Sequence, residues 1–397
     1  MDARPTGGVL SFFRDIPDPR SHNVRYRVSD LVVMALLATI GGADDWMMVA
    51  EYVQCKAAWL RSFLDFPEGM TPSSHTFRRL FARLEPAAFE ACFLAWMQAV
   101  VDVSGGKLVA VDGKSLRRSF RRGWQKSGMS HMVSMFVQAN HQVLSQIQCD
   151  GKGQEIAAIM QLLALVDIEG AVVSIDAMGC QKAIAQEIVE SKGEYVLAVK
   201  ENQPTLHAAL ERELNVMILN KFKDIRHDEC YSVEENHGRR EIRHVYTTNR
   251  IDWLPMRTQW AGIQSVAVVE TVREVLGTET RDVQTFRRYY ISSLAECDAA
   301  RMAGYIRGHW SVENNLHWQL DVTFLEDQSR LRKGYGAQNM SRLRRAALNL
   351  LKVNRSFQAN KVIRRGGIKT KRARAGWDNQ FLLAVLTGGP GKHTSTA

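Results

Sequence analysis

The chain has 397 residues, 45% of them hydrophobic, and its 52 Lys+Arg against 42 Asp+Glu give a formal charge of +10. That length fits two domains or one large domain with additions, and the apolar fraction excludes wholesale disorder. MDARPTGGVL lacks the apolar core of a signal peptide, Leu31 to Ile40 is too short to span a bilayer, and six cysteines without CxxC spacing give no zinc site or disulfide framework; a soluble cytoplasmic protein with no membrane partner is expected.

Residues 1–104 read as helical. Ser29 stands where it would cap a helix over 31–40, closed by Gly41-Gly42, and a second helix follows at about 44–56. After Thr71-Pro72-Ser73-Ser74-His75, apolar Phe77, Leu80, Phe81 and Leu84 interleave with Arg78, Arg79 and Arg83 as in an amphipathic helix. Pro86 opens another, carrying Phe89, Phe93 and Trp96. Ser104-Gly105-Gly106 reads as a linker, and β-type runs then follow at Leu108–Val111, Met132–Ala139 and Val143–Ile147. A helix at about 153–166 leads to a strand at Ala171–Ile175, and a helix at about 181–192 leads to a strand at Tyr195–Val199. Three strands in succession followed by strand–helix pairs predict an α/β layer with a mixed sheet. Residues 200–290 are less regular and read as a β-rich insertion, with strands at 242–247, 266–272 and 288–292. A helix from about 299 through 320 carries His309, Trp310, Glu313, His317 and Trp318, and 337–352 is helical and Arg-rich.

Basic residues cluster twice. Lys114, Arg117, Arg118, Arg121, Arg122 and Lys126 have no acid among them, and from Lys352 onward ten Lys/Arg accompany one acid, Asp378. Either run alone reads equally as a solvated face; two of them flanking an acidic site read as tracks for a phosphate backbone. Trp124, within the first run, is open to packing or to stacking on an unpaired base.

The acidic site is suggested by Asp112, at the end of LVAVD, and Asp176, at the end of VVSID. An acid leaving a buried strand sits at the rim of a sheet, where open α/β folds bind ligands; a turn-forming Asp-Gly and a helix N-cap are the local alternatives. Two carboxylates on one edge repel each other unless a cation neutralises them. Glu313, in HWSVENNLHW, lies on an aromatic helix face; Asp321, Glu326 and Asp327 are its competitors as a third ligand. Oxygen ligands without a cysteine set point to hard divalent cations, Mg2+ or Mn2+. Two ions about 4 Å apart would serve in-line phosphoryl chemistry. No P-loop or GxSxG elbow supports nucleotide hydrolysis or acyl transfer.

Several long motifs, in order, carry a resemblance: FFRDIPDPRSHNVRYRVSDLVVMALLATIGGADDW, VAVDGKSLRRS, GQEIAAIMQLLALVDIEGAVVSIDAMGCQ, GEYVLAVKENQPTL and RGHWSVENNLHWQLDVTFLEDQSRLR. Over almost its whole length the chain resembles an insertion-sequence DDE transposase of the H-repeat-associated (ISAs-type) family. The resemblance implies an α/β ribonuclease H-like mixed-sheet catalytic core at 105–352 with a β-rich insertion at about 200–290. A helical transposase-associated domain at 1–104 would precede it and a basic extension at 353–397 follow. It implies that Asp112, Asp176 and Glu313 hold two Mg2+ or Mn2+ ions. It implies metal-dependent cleavage at insertion-sequence ends and strand transfer into target DNA, with double-stranded terminal inverted repeats and target as partners and a possible homodimer on DNA. A plain nuclease of the same fold and a silent DNA-binding relative are the alternatives. The wider superfamily's Y-x2-R-x3-E-x6-K pattern is replaced here by Ile306, His309 and Leu320 around Glu313. Arg307, His309 and Lys333 are the suggested substitutes, and with Lys114, Arg117, Arg118, Arg121 and Arg122 of the first basic run they make up the candidate DNA contacts. Glu155, Lys200 and Asn202 stand in family-like stretches with structural roles equally open.

Overall fold

The computed structural model describes residues 9–21, 24–101, 103, 105–119, 129–149, 152–236, 238–254, 256–276, 283–353 and 366–387. The N-terminal part is helical, as expected: α1 (Val9–Phe12), α2 (Val28–Ile40), α3 (Trp46–Cys55), α4 (Ala57–Leu60), α5 (Ser74–Arg83) and α6 (Pro86–Val100). Helix α2 starts earlier than predicted, so Ser29 lies inside its first turn and Arg27 occupies the cap position without a side-chain bond. Nearly every residue of α2 is buried, the mark of a helix inside a core. Asp45 caps α3 by accepting from the Met47 and Met48 amides at 2.8 and 2.9 Å. In α5, Phe77, Leu80 and Phe81 are buried while Arg78, Arg79 and Arg83 stay exposed.

Nine strands follow: β1 (Leu108–Ser115), β2 (His131–Val137), β3 (Gln142–Cys149), β4 (Val172–Ile175), β5 (Glu194–Val199), β6 (Asp228–Asn236), β7 (Arg239–Thr248), β8 (Ser265–Val275) and β9 (Val283–Ser292). They form one mixed sheet in the order β3-β2-β1-β4-β5-β9-β8-β7-β6. Strands β1, β4 and β5 are parallel, and all other neighbours antiparallel. Parallel neighbours need a crossover, usually a helix. Helices α7 (Glu155–Leu165) and α8 (Lys182–Glu190) supply the two here. The expected insertion begins instead with a 16-residue helix, α9 (Pro204–Leu219). Strands β6 to β9 then extend the same sheet, because β9 pairs with β5 through Val196↔Ser292 to Val199↔Tyr289.

Strand alternation divides the core. Val109, Val111, Val173, Ile175 and Leu197 pack with α7, α8 and α9 on one face. Leu108, Val172 and Val196 face α10 (Ala299–His309) on the other. The helix expected to run from 299 through 320 ends at His309 and continues as two π-helical turns, Glu313–His317 and Gln319–Thr323. Helices α11 (Gly336–Val353), α12 (Ile368–Trp377) and α13 (Asn379–Thr387) complete the described chain. Their buried residues Leu343, Ala347, Leu351, Ala375, Leu382 and Val385 share one core with α2, α5 and α6.

Part of the second basic run is therefore internal. Arg372 donates to the carbonyls of Thr39 and Ala43 at 3.1 and 3.2 Å and pairs with Asp44 at 2.6 Å. Arg374 pairs with Asp378 at 3.2 Å. No described helix is long and apolar enough to cross a membrane.

Candidate active site

One register brings the two aspartates together. The parallel β1–β4 ladder ends at Val111↔Ile175, so Asp112 and Asp176 are the next residues on each side. Asp112 is not at the end of its strand as expected, because β1 runs on to Ser115 beside β2. It is the first β1 residue beyond the reach of β4. Its Oδ1 accepts the Gly113 amide at 2.8 Å, and Asp176 Oδ1 accepts the Met178 amide at 3.2 Å, capping the turn Ala177–Gly179. The cap reading of Asp176 and its place at the sheet rim thus hold together.

The third segment arrives from α10. Gly308 lets that helix lie against β1: a Cβ there would fall 2.4 Å from Leu108 Cδ2. The π-helical turn beyond it presents Glu313 and His317. A π turn inside a helix is rare and frequent at functional sites. His317 Nδ1 lies 3.5 Å from Glu313 Oε2 and 3.6 Å from Asp112 Oδ2, with the ring 6% exposed. Asp112, Glu313 and His317 each offer a ligand atom within 4.8 Å of the others. Asp112, Asp176 and Glu313 line one cleft of about 230 Å³. His317 was no ligand candidate in the sequence; its signal was its place four residues after Glu313, one helical turn along.

Burial pushes the Asp112 carboxyl above the usual range, against the pull of His317 and His309. Glu313 is drawn below its usual value, first by its hydrogen bond with His317. Burial lowers His309, against the pull of Asp112 and Asp176, and its Nδ1 lies 3.0 Å from Ser174 Oγ. Clustered carboxylate oxygens with an imidazole nitrogen are donors suited to a divalent cation, so the side chains present fit a metal.

The other expected residues are dispersed. Lys114 is 8% exposed, and its ammonium faces inward to Asp321, to Glu326 at 3.4 Å and to Asp327 at 3.3 Å. This differs from a phosphate contact, and the three acids that competed with Glu313 surround this lysine instead. Arg117 is 77% exposed and pairs with Asp327 at 3.1 Å. Arg118 is exposed, and its carbonyl accepts from Arg332 at 3.1 Å. Arg121, Arg122, Trp124 and Lys126 lie outside the described residues. Arg307 pairs with Glu234. Lys333 is exposed and does not line the cleft. Leu320 is in the core, while Ile306 and His309 line the cleft. Glu155 pairs with buried His131 next to Gly113, and Asn202 donates to the Ala177 carbonyl beside Asp176. Arg288 and Tyr290 of β9, which sequence reading did not single out, line the cleft with Lys200.

Residues 104–350 match the Transposase DDE domain family, and residues 10–97 the family described as DDE_Tnp_1-associated. The putative transposase YncI of Escherichia coli O157:H7 is 36% identical over 380 residues, covering 95% of this chain and 94% of its own. The H repeat-associated putative transposase YhhI of Escherichia coli K12 is 34% identical, covering 94% of this chain and 96% of its own. A piggyBac transposase synaptic complex with hairpin DNA has a TM-score of 0.41 at 11% identity, over 100% of this chain and 85% of that one, too distant to inform this chain. The chain belongs to the DDE transposase family, in its H-repeat-associated group. Divalent metal use and action on DNA go with that family.

Proposed function

We propose that the protein cuts DNA at the terminal inverted repeats of an insertion sequence and joins the freed ends to target DNA. Asp112, Asp176 and Glu313 would be the metal-holding carboxylates on a ribonuclease H-like core. One observation carries this reading: three carboxylates from β1, the end of β4 and the turn after α10 line a single cleft. The antiparallel β1, β2 and β3 followed by parallel β4 and β5, with helices on both faces, support the fold assignment.

Divalent cations bound there, Mg2+ or Mn2+ and two in number, supply activation of the attacking oxygen and charge neutralisation at the leaving oxygen. The chain's own groups do the holding. The amides of Gly113 and Met178 orient the two aspartates. His317 Nδ1 sits between Asp112 and Glu313, where it steadies both carboxylates. His309, tied to Ser174, fills the cleft beside them. Water as the attacking group gives cleavage, and a DNA 3′-hydroxyl gives strand transfer. Bringing two element ends together would call for a homodimer on DNA.

The test is strand transfer by the purified chain with Mg2+ and a duplex carrying the terminal repeats, beside Asp176→Ala. Joined products that vanish in the variant are expected. Cleavage of any duplex without joining would replace this reading with a plain nuclease. Salt-sensitive binding with no product would replace it with a silent relative.

A further inference from the structure

Two cations near the cleft are neutralised by the chain itself: Lys114 faces three carboxylates, and Arg307 pairs with Glu234. Two cleft-lining cations differ. Lys200, exposed, and Arg288, half-buried, form no ion pair among the described residues, yet both line the wall that continues the row of carboxylates. The register explains why. The last β5–β9 pair is Val199↔Tyr289, so Lys200 and Arg288 are the next residue on each strand, side by side. The β4–β5 ladder pairs Ile175 with Leu197, so Ala198 stands level with Asp176 and Lys200 two residues further along. With strands about 4.8 Å apart and a rise of about 3.3 Å per residue, the Lys200 and Arg288 backbones lie roughly 8 and 12 Å from that of Asp176, on the rim beyond the carboxylates. The Arg288 guanidinium is steadied 5.3 Å from the Trp310 ring and 5.0 Å from the Phe286 ring, and among the described residues its fork of donors makes no hydrogen bond.

We propose that Lys200 and Arg288 form a phosphate-binding wall that holds the DNA backbone next to the bond being cut. Its ligands are the phosphodiesters flanking the scissile one. A guanidinium takes a phosphate with two parallel hydrogen bonds, and an ammonium takes it as a point charge. Acidic and basic halves suit such a substrate: the acids would hold cations at the reacting phosphate, and the bases neutralise its neighbours. The inference rests on reading the cleft as a DNA-cutting site.

The test is the salt dependence of binding a duplex of arbitrary sequence to the full chain without divalent cation. Log K against log[NaCl] should flatten by about 0.9 in Arg288→Gln and by about 0.9 in Lys200→Gln. Between 50 and 200 mM salt each variant would then lose about 3.5-fold less affinity than the wild type. Arg288→Lys keeps the charge and should keep the slope. Arg257→Gln, at a surface arginine paired with Asp252, should also leave the slope unchanged. An unchanged slope in either glutamine variant, or an equal flattening in Arg257→Gln, overturns the wall. Because no divalent cation is present, failure of the carboxylate site would appear in strand transfer and leave these slopes as stated.

Discussion

Asp112 and Asp176 meet because a single ladder, ending at Val111↔Ile175, stops both strands at the same level. Glu313 joins them only because the helix after α10 loosens into a π turn, which also delivers His317. If His317 supports the ligands, His317→Gln should leave DNA affinity unchanged and lower Mg2+ affinity or cleavage by about 10–100-fold. A Mg2+ titration of cleavage with an unshifted midpoint and rate would remove it from the site. The two aspartates were legible in the sequence because each ends an apolar run, a local signal. Glu313 was legible only through its motif, since a mid-helix glutamate alone carries little information. Arg288 was not legible: it reaches the cleft through the pairing of β9 with β5, a contact no local pattern encodes.

Elements rather than single residues fix how β1 meets the segment after the π turns. Lys114 ties β1 to Asp321, Glu326 and Asp327, and Glu326 is tied in turn to Arg345 of α11 at 3.0 Å. Burial raises the Glu326 carboxyl, but Arg345, Lys114 and Arg344 outweigh it and hold it well below the usual value. Removing one member of a buried pair strands its partner. Lys114→Met should therefore cost about 3–5 kcal/mol in urea unfolding, against under about 1 kcal/mol for Arg117→Gln at the exposed end. Equal midpoints for the two variants would show that the network does not bind these elements.

Beyond its three buried arginines, helix α11 carries Lys352 near its end. Its Nζ donates to the carbonyls of His141 and Asn315, and burial pushes its pKa down to about 7. Between pH 7 and 10.5 the unfolded chain keeps a proton that the folded chain has released. The wild type should therefore gain a few kcal/mol over Lys352→Met as pH rises through that window. A stability difference independent of pH would contradict this. Helix α9 was missed in the sequence although Pro204 opens it and Leu206, Ala209, Leu210, Leu214 and Met217 recur at helical spacing. Its polar flanks and the β-type runs that follow hid that period.

At the scale of the whole molecule, the helical segments at both ends of the sequence share one core, which also takes in Val312, Leu316 and Leu320 from the turns beside the cleft. The cleft is thus set between that helical body and the sheet. The succession of strands and helices through β5, and a mixed sheet, could be read from the alternation of β-type and helical runs, but the order of strands within the sheet could not. The return of α12 and α13 to the N-terminal helices could not, because a basic run looks the same whether it faces solvent or folds back. Arg372 shows how such a run becomes internal, through carbonyls and one aspartate.

The most direct measurement is Mg2+-dependent cleavage of a duplex bearing the element's end by the wild type and by Asp112→Asn, Asp176→Asn and Glu313→Gln. Each variant should bind the duplex as the wild type does and cleave it about 1,000-fold more slowly, a barrier roughly 4 kcal/mol higher. Cleavage at the wild-type rate by any one of the three, or cleavage that survives EDTA, would contradict a site built on these three carboxylates.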